Sequence, residues 1–312
     1  METKRAFVLS GGSIKGTFQA GAIKAFLENG FKPEMIYGIS VGSLNSTFLS
    51  HDAGKQNKPK EEIDWQLIGE NLKKFWFENI QKPEDVAIKR GAVEIGWDAL
   101  TKTFNGLLDT TPIQELVKKT IKMENLYNSP VSLKVGAVNI ADGKIVYADP
   151  SFPNFLDYVL ASTAIPIMMP GIKIGGNKNQ LFMDGGIKDV APLKQAIDSG
   201  ATEIVVICCQ SKDVGAEVFD SGNLLKLAER LMDIIVNEIV NNDIEWAEYF
   251  NKFLPEDGSV ETNGPFAGYR KIKITVVRPA VPINLDLENF TSQDIQAIFE
   301  SGYRTALEEI KS

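Results

Sequence analysis

The order of apolar and polar segments in the first fifty residues constrains the fold of this chain most strongly. Short apolar runs at 5–9 and 33–39 are each followed by a segment typical of a helix, at 17–28 and 41–49. Strands that alternate with helices need crossover connections, which pair the strands in parallel and place the helices over the sheet. The sequence therefore predicts an α/β fold with a mostly parallel sheet covered by helices.

The rest of the chain continues in the same manner, without an internal repeat. Residues 51–64 are polar and rich in lysine, and we predict that they form an exposed excursion. Further strands are predicted at 131–139, 144–147, 171–174, 181–183, 201–209 and 271–278, and further helices at 64–79, 89–104, 111–122, 154–162, 223–253 and 292–311. The simplest interpretation is a single domain over 1–312 with a helical insertion and a strand-and-helix extension at 201–312.

A serine between two glycines stands where the second predicted strand turns into the following helix. Gly38 and Gly42 flank Ser40 in the pattern G-x-S-x-G. In a nucleophile elbow, a serine occupies such a turn, the glycines avoid side-chain collisions, and the helix dipole favours negative charge near the serine oxygen. The alternative is an ordinary glycine–serine turn followed by a helix that Ser43 caps.

The single histidine of the chain is badly placed to activate Ser40. His51 follows the intervening helix, which carries it about 16 Å away, and its polar surroundings predict an exposed loop residue. A Ser-His-Asp triad needs the histidine within hydrogen-bonding distance of the serine. Either Ser40 is not a nucleophile, or its base is another group, for which a carboxylate is the obvious choice.

A carboxylate follows a later apolar run. Asp184 ends the predicted strand at 181–183 and precedes Gly185 and Gly186. Functional groups of open α/β sheets gather at the carboxyl ends of strands, so Asp184 is a candidate base. An ordinary Asp-Gly-Gly turn is the alternative. Asp189 has the position of a residue that begins a helix.

Residues 10–17 (SGGSIKGT) join the first strand to the first helix, and N–H groups in such a loop can hold an anion. The dinucleotide pattern G-x-G-x-x-G does not fit the glycines of this loop. The spacing from Gly11 to Gly16 matches a Walker loop, but Thr17 stands where that loop needs lysine. The remaining use is an oxyanion hole beside a serine.

Together these segments resemble the patatin-like phospholipase family. Residues 11–16 match its loop G-G-x-x-[RK]-G, residues 38–42 its G-x-S-x-G turn, and residues 184–186 its D-G-[GA] block. Residues 161–166 (ASTAIP) are similar to its A-S-x-A-x-P segment. The order and spacing match over about 5–192, which is the motif core of the predicted domain.

The resemblance implies a patatin-like three-layer α/β/α fold with a modified α/β-hydrolase-like sheet, and hydrolysis of carboxylic esters in lipids. It also implies a dyad of Ser40 and Asp184 that works through an acyl-enzyme without histidine. The other implied site residues are an oxyanion hole at Gly11, Gly12 and Ser13, loop support from Lys15 and Gly16, and motif glycines at Gly38, Gly42, Gly185 and Gly186. Ser13 departs from the family, which commonly has a third glycine there, and serine restricts φ more than glycine does.

Composition narrows the classes of partner. A net charge of −8 argues against nucleic acid. Adjacent Cys208 and Cys209 are predicted to be reduced core thiols, and with one histidine they do not suffice for a structural zinc site. We expect a lipid or another acyl ester as substrate, with a membrane surface as one place to meet it, and no cofactor or metal. A non-catalytic lipid-binding or regulatory protein of the same fold is the alternative.

No apolar run approaches the roughly 18 residues of a membrane span, and the run near the N-terminus is too short for a signal sequence. We therefore expect a cytoplasmic protein, with signal-independent export left open. The helix at 223–253 is expected to cap the site, to meet a partner or to be buried. The candidates for an apolar route for lipid, with core packing as the alternative, are Phe152, Phe155, Ile165, Ile167, Met168 and Met169.

Overall fold

A mostly parallel sheet forms the centre of the computed structural model, which describes residues 3–175, 180–216 and 222–311. The strands of this sheet are β1 (Arg5–Leu9), β2 (Met35–Ile39), β5 (Ser132–Asn139), β6 (Lys144–Ala148), β7 (Ile172–Lys173), β8 (Leu181–Asp184), β9 (Glu203–Ile207) and β10 (Lys273–Val277). Their order is β10-β9-β1-β2-β5-β8-β7, with β6 also paired to β5. A separate antiparallel ribbon is formed by β3 (Ile88–Lys89) and β4 (Leu108–Asp109).

The described residues also form ten α-helices. They are α1 (Gly16–Glu28), α2 (Val41–Lys55), α3 (Trp65–Asn79), α4 (Ala92–Thr101), α5 (Thr111–Thr120), α6 (Met123–Tyr127), α7 (Phe155–Ser162), α8 (Leu193–Asp198), α9 (Leu224–Asn251) and α10 (Ser292–Lys311). Side-chain caps fix where some of them begin. Asp64 caps α3 by accepting the Leu67 N–H at 2.9 Å. Before α10, the Thr291 N–H donates to the Asp294 carboxylate at 2.8 Å.

Helices cover both faces of the sheet because its central strands are apolar on both sides. In β1, Phe7 and Leu9 face a large core that includes α1, α2, α3 and α10. Ala6 and Val8 face a second core with α8 and α9. Strands that are apolar on both faces are typical of buried parallel sheets. The predicted α/β fold with helices on both faces of a mostly parallel sheet is confirmed.

The C-terminal part of the chain is built into this sheet. β9 lies between β1 and β10 and pairs in parallel with both of them. Phe299 of α10 lies in the same core as Phe18 of α1. The single domain over 1–312 stays a prediction, which the shared sheet favours.

The register of β5 brings two strand ends together. β6 pairs with β5 along one edge over 135–139, so β2 and β8 share the other edge. β2 runs parallel to β5, and its last residue, Ile39, lies opposite Gly136. β8 runs antiparallel, and its last residue, Asp184, lies opposite Ala137. Because Gly136 and Ala137 are neighbours, the carboxyl ends of β2 and β8 meet head to head.

The exposed excursion predicted at 51–64 is wrong in its first part. α2 continues through this region, and His51 and Asp52 are buried in it rather than exposed. Both have partners in neighbouring helices: His51 Nε2 lies 2.9 Å from Asn125 Nδ2, and Asn71 donates to Asp52 at 2.7 Å. Polar residues can be buried when distant residues satisfy their hydrogen bonds, which local composition does not reveal.

Candidate active site

Ser40 occupies the sharp turn between β2 and α2. Its φ of 54° and ψ of −127° form a strained conformation for a residue with a side chain. A Cβ on Gly38 would lie 2.3 Å from the Gly42 carbonyl oxygen, and one on Gly42 would lie 2.2 Å from the Leu9 carbonyl oxygen. The turn therefore has the crowded geometry of a nucleophile elbow. Ser40 is the N-cap of α2, and Ser43 donates to the Ser40 carbonyl at 2.6 Å.

Asp184 approaches Ser40 from the end of β8. Burial raises the pKa of the Asp184 carboxyl to about 7, while hydrogen bonds from the Ser40 hydroxyl and the Gly186 N–H oppose the rise. The Gly186 N–H donates to Asp184 Oδ1 at 2.7 Å. Gly185 packs closely, since a Cβ there would lie 2.5 Å from the Gly136 carbonyl oxygen. The Ser40 hydroxyl thus lies beside a buried carboxyl whose pKa is raised toward neutrality.

The glycine-rich loop lies against Ser40 at the end of β1. A Cβ on Gly11 would lie 3.2 Å from the Ser40 Cβ. The Gly11 N–H donates to the Val190 carbonyl at 3.3 Å. Within the described residues, no hydrogen bond uses the N–H of Gly12 or Ser13. These two N–H groups are therefore free to receive an anion beside Ser40.

Ser13 takes a backbone conformation that glycine normally supplies. Its φ is 53°, in the left-handed region, which costs a residue with a Cβ about 1 kcal/mol. Gly12 has a φ of 155°, and a Cβ on it would lie 2.1 Å from the Cβ of Cys209. Cys208 and Cys209 are both buried and unpaired, as predicted. The loop thus keeps its shape with serine in the third position.

Lys15 and Gly16 link the loop to two helices. Lys15 Nζ lies 3.1 Å from both carboxylate oxygens of Asp233 on α9. Gly16 begins α1, and a Cβ on it would lie 2.2 Å from the Val41 side chain on α2. Lys15 therefore ties the loop to the helix that spans most of the predicted segment 223–253.

A cavity of about 510 Å³ opens beside Ser40 and Asp184. α9 forms one wall with residues that include Met232 and Val236, so this helix caps the site. Of the residues proposed for an apolar route, Ile165 and Met168 line this cavity. The others are placed differently: Met169 lines an adjoining cavity, Phe155 is buried in the core, Phe152 packs on Tyr158, and Ile167 is exposed.

Three residues that hold the site in place were not assigned this role from the sequence. Ser162 Oγ accepts the Ser40 N–H at 2.9 Å, and Gln210 donates to the Gly11 carbonyl at 3.1 Å. Val190 accepts the Gly11 N–H. Ser162 lies in the matched segment 161–166, which was the available signal. Gln210 follows β9, and only the pairing of β9 with β1 places it beside the loop.

The expectation that Asp189 begins a helix is wrong. α8 starts four residues later, after Pro192. Asp189 instead accepts a hydrogen bond from the hydroxyl of the half-buried Tyr147, and burial raises the pKa of the Asp189 carboxyl. This loop packs inside the molecule, so a distant tyrosine rather than a helix terminus decides the role of Asp189.

The sequence profile of the family described as patatin-like phospholipase matches residues 7–197. This range is more than half of the chain and contains the glycine-rich loop, the Ser40 turn and Asp184. The chain belongs to the patatin-like phospholipase family. The mixed α/β architecture described above is accordingly a patatin-like fold, and hydrolysis of lipids is the activity class of the family.

Two curated proteins are similar to this patatin-like chain. It is 27% identical over 242 residues to the uncharacterized protein YjjU of Escherichia coli, a match that covers 76% of the chain and 59% of YjjU. It is 26% identical over 228 residues to triacylglycerol lipase 5 of Saccharomyces cerevisiae, covering 66% of the chain and 29% of the lipase. The patatin-like chain therefore spans well under two thirds of the length of either relative.

Two solved structures align with the patatin-like fold. VipD from Legionella pneumophila aligns with a TM-score of 0.47 at 14% identity, over 100% of this chain and 67% of VipD. A chain of the ExoU–SpcU complex of the type III secretion system of Pseudomonas aeruginosa aligns with a TM-score of 0.39 at 12% identity. The alignment covers 99% of this chain and 51% of that one. Within the described part of the patatin-like chain, no helix has the length and apolar character to cross a membrane.

We expect Ser162→Ala to weaken both the fold and the patatin-like site. The variant leaves the buried Ser40 N–H without its acceptor, which costs about 1–3 kcal/mol of unfolding free energy. Chemical denaturation measures this loss, and the labelling rate of Ser40 by a fluorophosphonate should fall with it. Thr163→Ala is the matched control, because among the described residues the Thr163 hydroxyl donates only to the Leu160 carbonyl of the adjoining helix α7. Equal effects of the two variants would contradict the role of Ser162.

Proposed function

We propose that this protein is a serine lipid acyl hydrolase of the phospholipase and lipase type, which cleaves carboxylic esters through Ser40 and Asp184. The observation that carries the proposal is the position of the Ser40 hydroxyl at a strained strand-to-helix turn, beside a buried Asp184 carboxyl whose pKa it affects. Membership of the family supports lipid as the substrate class. The similarity to a triacylglycerol lipase supports an ester as the bond that is cleaved.

In the acylation step, Asp184 accepts the proton of the Ser40 hydroxyl while Ser40 Oγ attacks the ester carbonyl carbon. The N–H groups of Gly12 and Ser13 hold the resulting oxyanion, and a donor of this kind contributes about 3 kcal/mol. Gly11, whose N–H is bound to Val190, supports the loop here. The bond to the leaving alcohol then breaks, and Asp184 returns the proton to the alcohol oxygen.

In the deacylation step, water replaces the alcohol. Asp184 accepts a proton from the water as its oxygen attacks the acyl-enzyme carbonyl, and the same N–H groups hold the second oxyanion. The bond between the acyl carbon and Ser40 Oγ then breaks, and Asp184 returns the proton to Ser40. The products are a free carboxylic acid and the original enzyme.

The surroundings of Asp184 support its role as the base. A carboxylate with an ordinary pKa of about 3.9 is a weak base at neutral pH, whereas burial raises the pKa of Asp184 to about 7. A catalytic base works best with a pKa near the working pH. His51 does not compete for this role, because it lies far along α2 and its Nε2 is hydrogen bonded with Asn125.

Labelling with a fluorophosphonate tests this proposal. We expect one covalent adduct on the wild-type protein by intact mass, with peptide mapping to Ser40, and none on Ser40→Ala. Ser50→Ala is the matched control, because Ser50 lies on the same helix, is buried and bonds only to Ser129 among the described residues. Turnover of a lipid-ester panel by the same proteins then defines the substrate. A folded wild-type protein without adduct or turnover, but with lipid affinity, would favour the non-catalytic alternative.

A further inference from the structure

The apolar face of α4 is exposed to solvent along its whole length. Val93 is 88% exposed, Trp97 is 68% exposed and Leu100 is 81% exposed. No residue of α4 is buried. Exposed apolar groups of this size on a helix are uncommon unless another molecule covers them.

The exposed residues of α4 form one stripe. Val93, Trp97 and Leu100 are spaced by four and three positions, so they lie above one another on one side of the helix. The acidic residues Glu94 and Asp98 lie on a different side, where Arg90 makes ion pairs with both of them. The stripe therefore carries no charged side chain. The carboxylates of Glu94 and Asp98 are paired with Arg90 on another side of the helix.

The ribbon of β3 and β4, which flanks α4 in the chain, lies beside the candidate active site. The helix lies between β3 and β4, and Ile88 and Leu108 of these strands line a cavity of about 320 Å³. This cavity shares Ser13, Ile165 and Met168 with the cavity that contains Ser40. Ile88 is itself half exposed. The ribbon next to α4 in the chain thus borders a cavity that adjoins the one containing Ser40.

We propose that α4 docks the protein on a lipid bilayer, with Val93, Trp97 and Leu100 inserted among the lipids and the smaller cavity facing the membrane. The proposal rests on the proposed function and adds the surface through which that site meets its substrate. Tryptophan beside aliphatic residues on one helix face is typical of helices that lie in the interfacial region of a bilayer. The ribbon that flanks α4 borders the smaller cavity, so a bilayer at the stripe would lie near an opening toward Ser40.

A second copy of the chain fits this face less well than a bilayer does. A helix of ten residues is about 15 Å long, and the stripe is one side chain wide. A stable protein interface buries about 800 Å² on each partner, which such a stripe does not reach. A bilayer has no minimum area of this kind, because each inserted side chain adds its own burial energy.

Another exposed apolar patch provides an internal control. Trp246, Tyr249, Phe250 and Phe253 lie near the C-terminal end of α9, and Trp246 is 56% exposed. The adjacent Asn251 bonds to the backbone just before β10 begins. This patch therefore lies at the amino ends of the parallel strands, whereas Ser40 follows the carboxyl end of β2.

Quenching by lipid distinguishes the two patches. The chain has four tryptophans, of which Trp65 and Trp76 are buried. In a Ser40→Ala background that leaves lipids intact, vesicles of brominated phosphatidylcholine should quench the fluorescence of Trp97. We expect quenching to persist in Trp246→Phe and to disappear in Trp97→Phe. Loss of quenching in Trp246→Phe alone, or no vesicle binding at all, would overturn the proposal.

Charge substitutions test the same surface through activity. We expect Leu100→Asp to lower vesicle affinity by about tenfold to a hundredfold, because it removes a buried leucine from the lipid. Its rate on soluble 4-nitrophenyl butyrate should stay unchanged. Phe253→Asp, in the other exposed patch, should change neither. If Leu100→Asp instead dissociates a dimer in sedimentation, the face binds a second copy and the proposal fails.

The two proposals fail in different ways. If the wild-type protein does not turn over the soluble ester, the proposed function fails, while the quenching of Trp97 still reports docking. If the soluble ester is turned over but Leu100→Asp binds vesicles as the wild-type protein does, only the docking proposal fails.

Discussion

Asp184→Asn is expected to lower kcat/KM for ester hydrolysis by about 10²- to 10⁴-fold, the usual contribution of a positioned general base. Asparagine has the shape of aspartate and keeps an oxygen that can accept the Gly186 N–H, but it cannot accept the Ser40 proton. Steady-state kinetics on a soluble ester measures the loss. Asp189→Asn is the matched control, because Asp189 is half-buried, its pKa is also raised by burial, and it accepts a hydrogen bond from Tyr147. Full activity of Asp184→Asn would exclude the dyad.

The same carboxyl is expected to determine the pH dependence of hydrolysis. Only its ionised form accepts a proton, and burial raises its pKa to about 7. We expect kcat/KM to rise as the pH increases through about 7 and to level off above it. A profile that is already flat at pH 5 would contradict Asp184 as a buried base.

The unfolding free energy should fall with rising pH, whereas kcat/KM should increase. A carboxyl whose pKa is higher in the folded state binds more protons when folded, so the unfolding free energy falls as the pH rises from the unfolded pKa to the folded one. For Asp184 this window runs from 3.8 to about 7, and the change is on the order of 4 kcal/mol. Asp184→Asn should remove this part of the dependence, which denaturant titrations at pH 5 and pH 8 would detect.

Ser40→Ala and Ser40→Gly are both expected to abolish hydrolysis, by about 10⁴-fold or more, but to differ in stability. The Ser40 backbone has a φ of 54°, and such strain costs about 1–3 kcal/mol for a residue with a Cβ. Glycine relieves this strain. Its greater conformational freedom in the unfolded state offsets part of the resulting stabilisation. We expect Ser40→Gly to exceed Ser40→Ala by about 1 kcal/mol in unfolding free energy.

The matched pair for this comparison is Ser50→Gly and Ser50→Ala on α2. Ser50 lies inside the helix, where glycine is less stable than alanine by about 1 kcal/mol. In the same denaturation experiment, the glycine variant should therefore have the higher unfolding free energy at position 40 and the lower one at position 50. A less stable Ser40→Gly would show that the turn carries no strain.

Much of the candidate site was predictable because its parts follow local rules. A serine between glycines after an apolar run predicts a strained turn, and the structure gives Ser40 a positive φ. An aspartate at the end of another run predicts a group at the carboxyl edge of the sheet, where Asp184 lies. Two separate local patterns thus indicated two side chains that lie next to each other in the structure, although their pairing came from the family resemblance.

Features that depend on distant partners were not predictable. His51 is buried because Asn125 meets it from another helix, and no local composition shows this. The Gly11 N–H donates to the carbonyl of Val190, which the loop before α8 brings beside it. The helix predicted at 89–104 exists as α4, but periodicity says only that one side is apolar. Its exposure follows from the tertiary structure.

The head-to-head meeting of β2 and β8 along β5 limits how this protein can be regulated. Ser40 and Asp184 are positioned from two adjacent residues of one strand, Gly136 and Ala137. Within the described residues one sheet holds both side chains, so a motion that separated them would have to break the pairing of β5 with β2 or β8. If Ser40 and Asp184 react as proposed, we expect regulation to act on the entry of substrate into the cavity, because the sheet itself holds these two side chains in register.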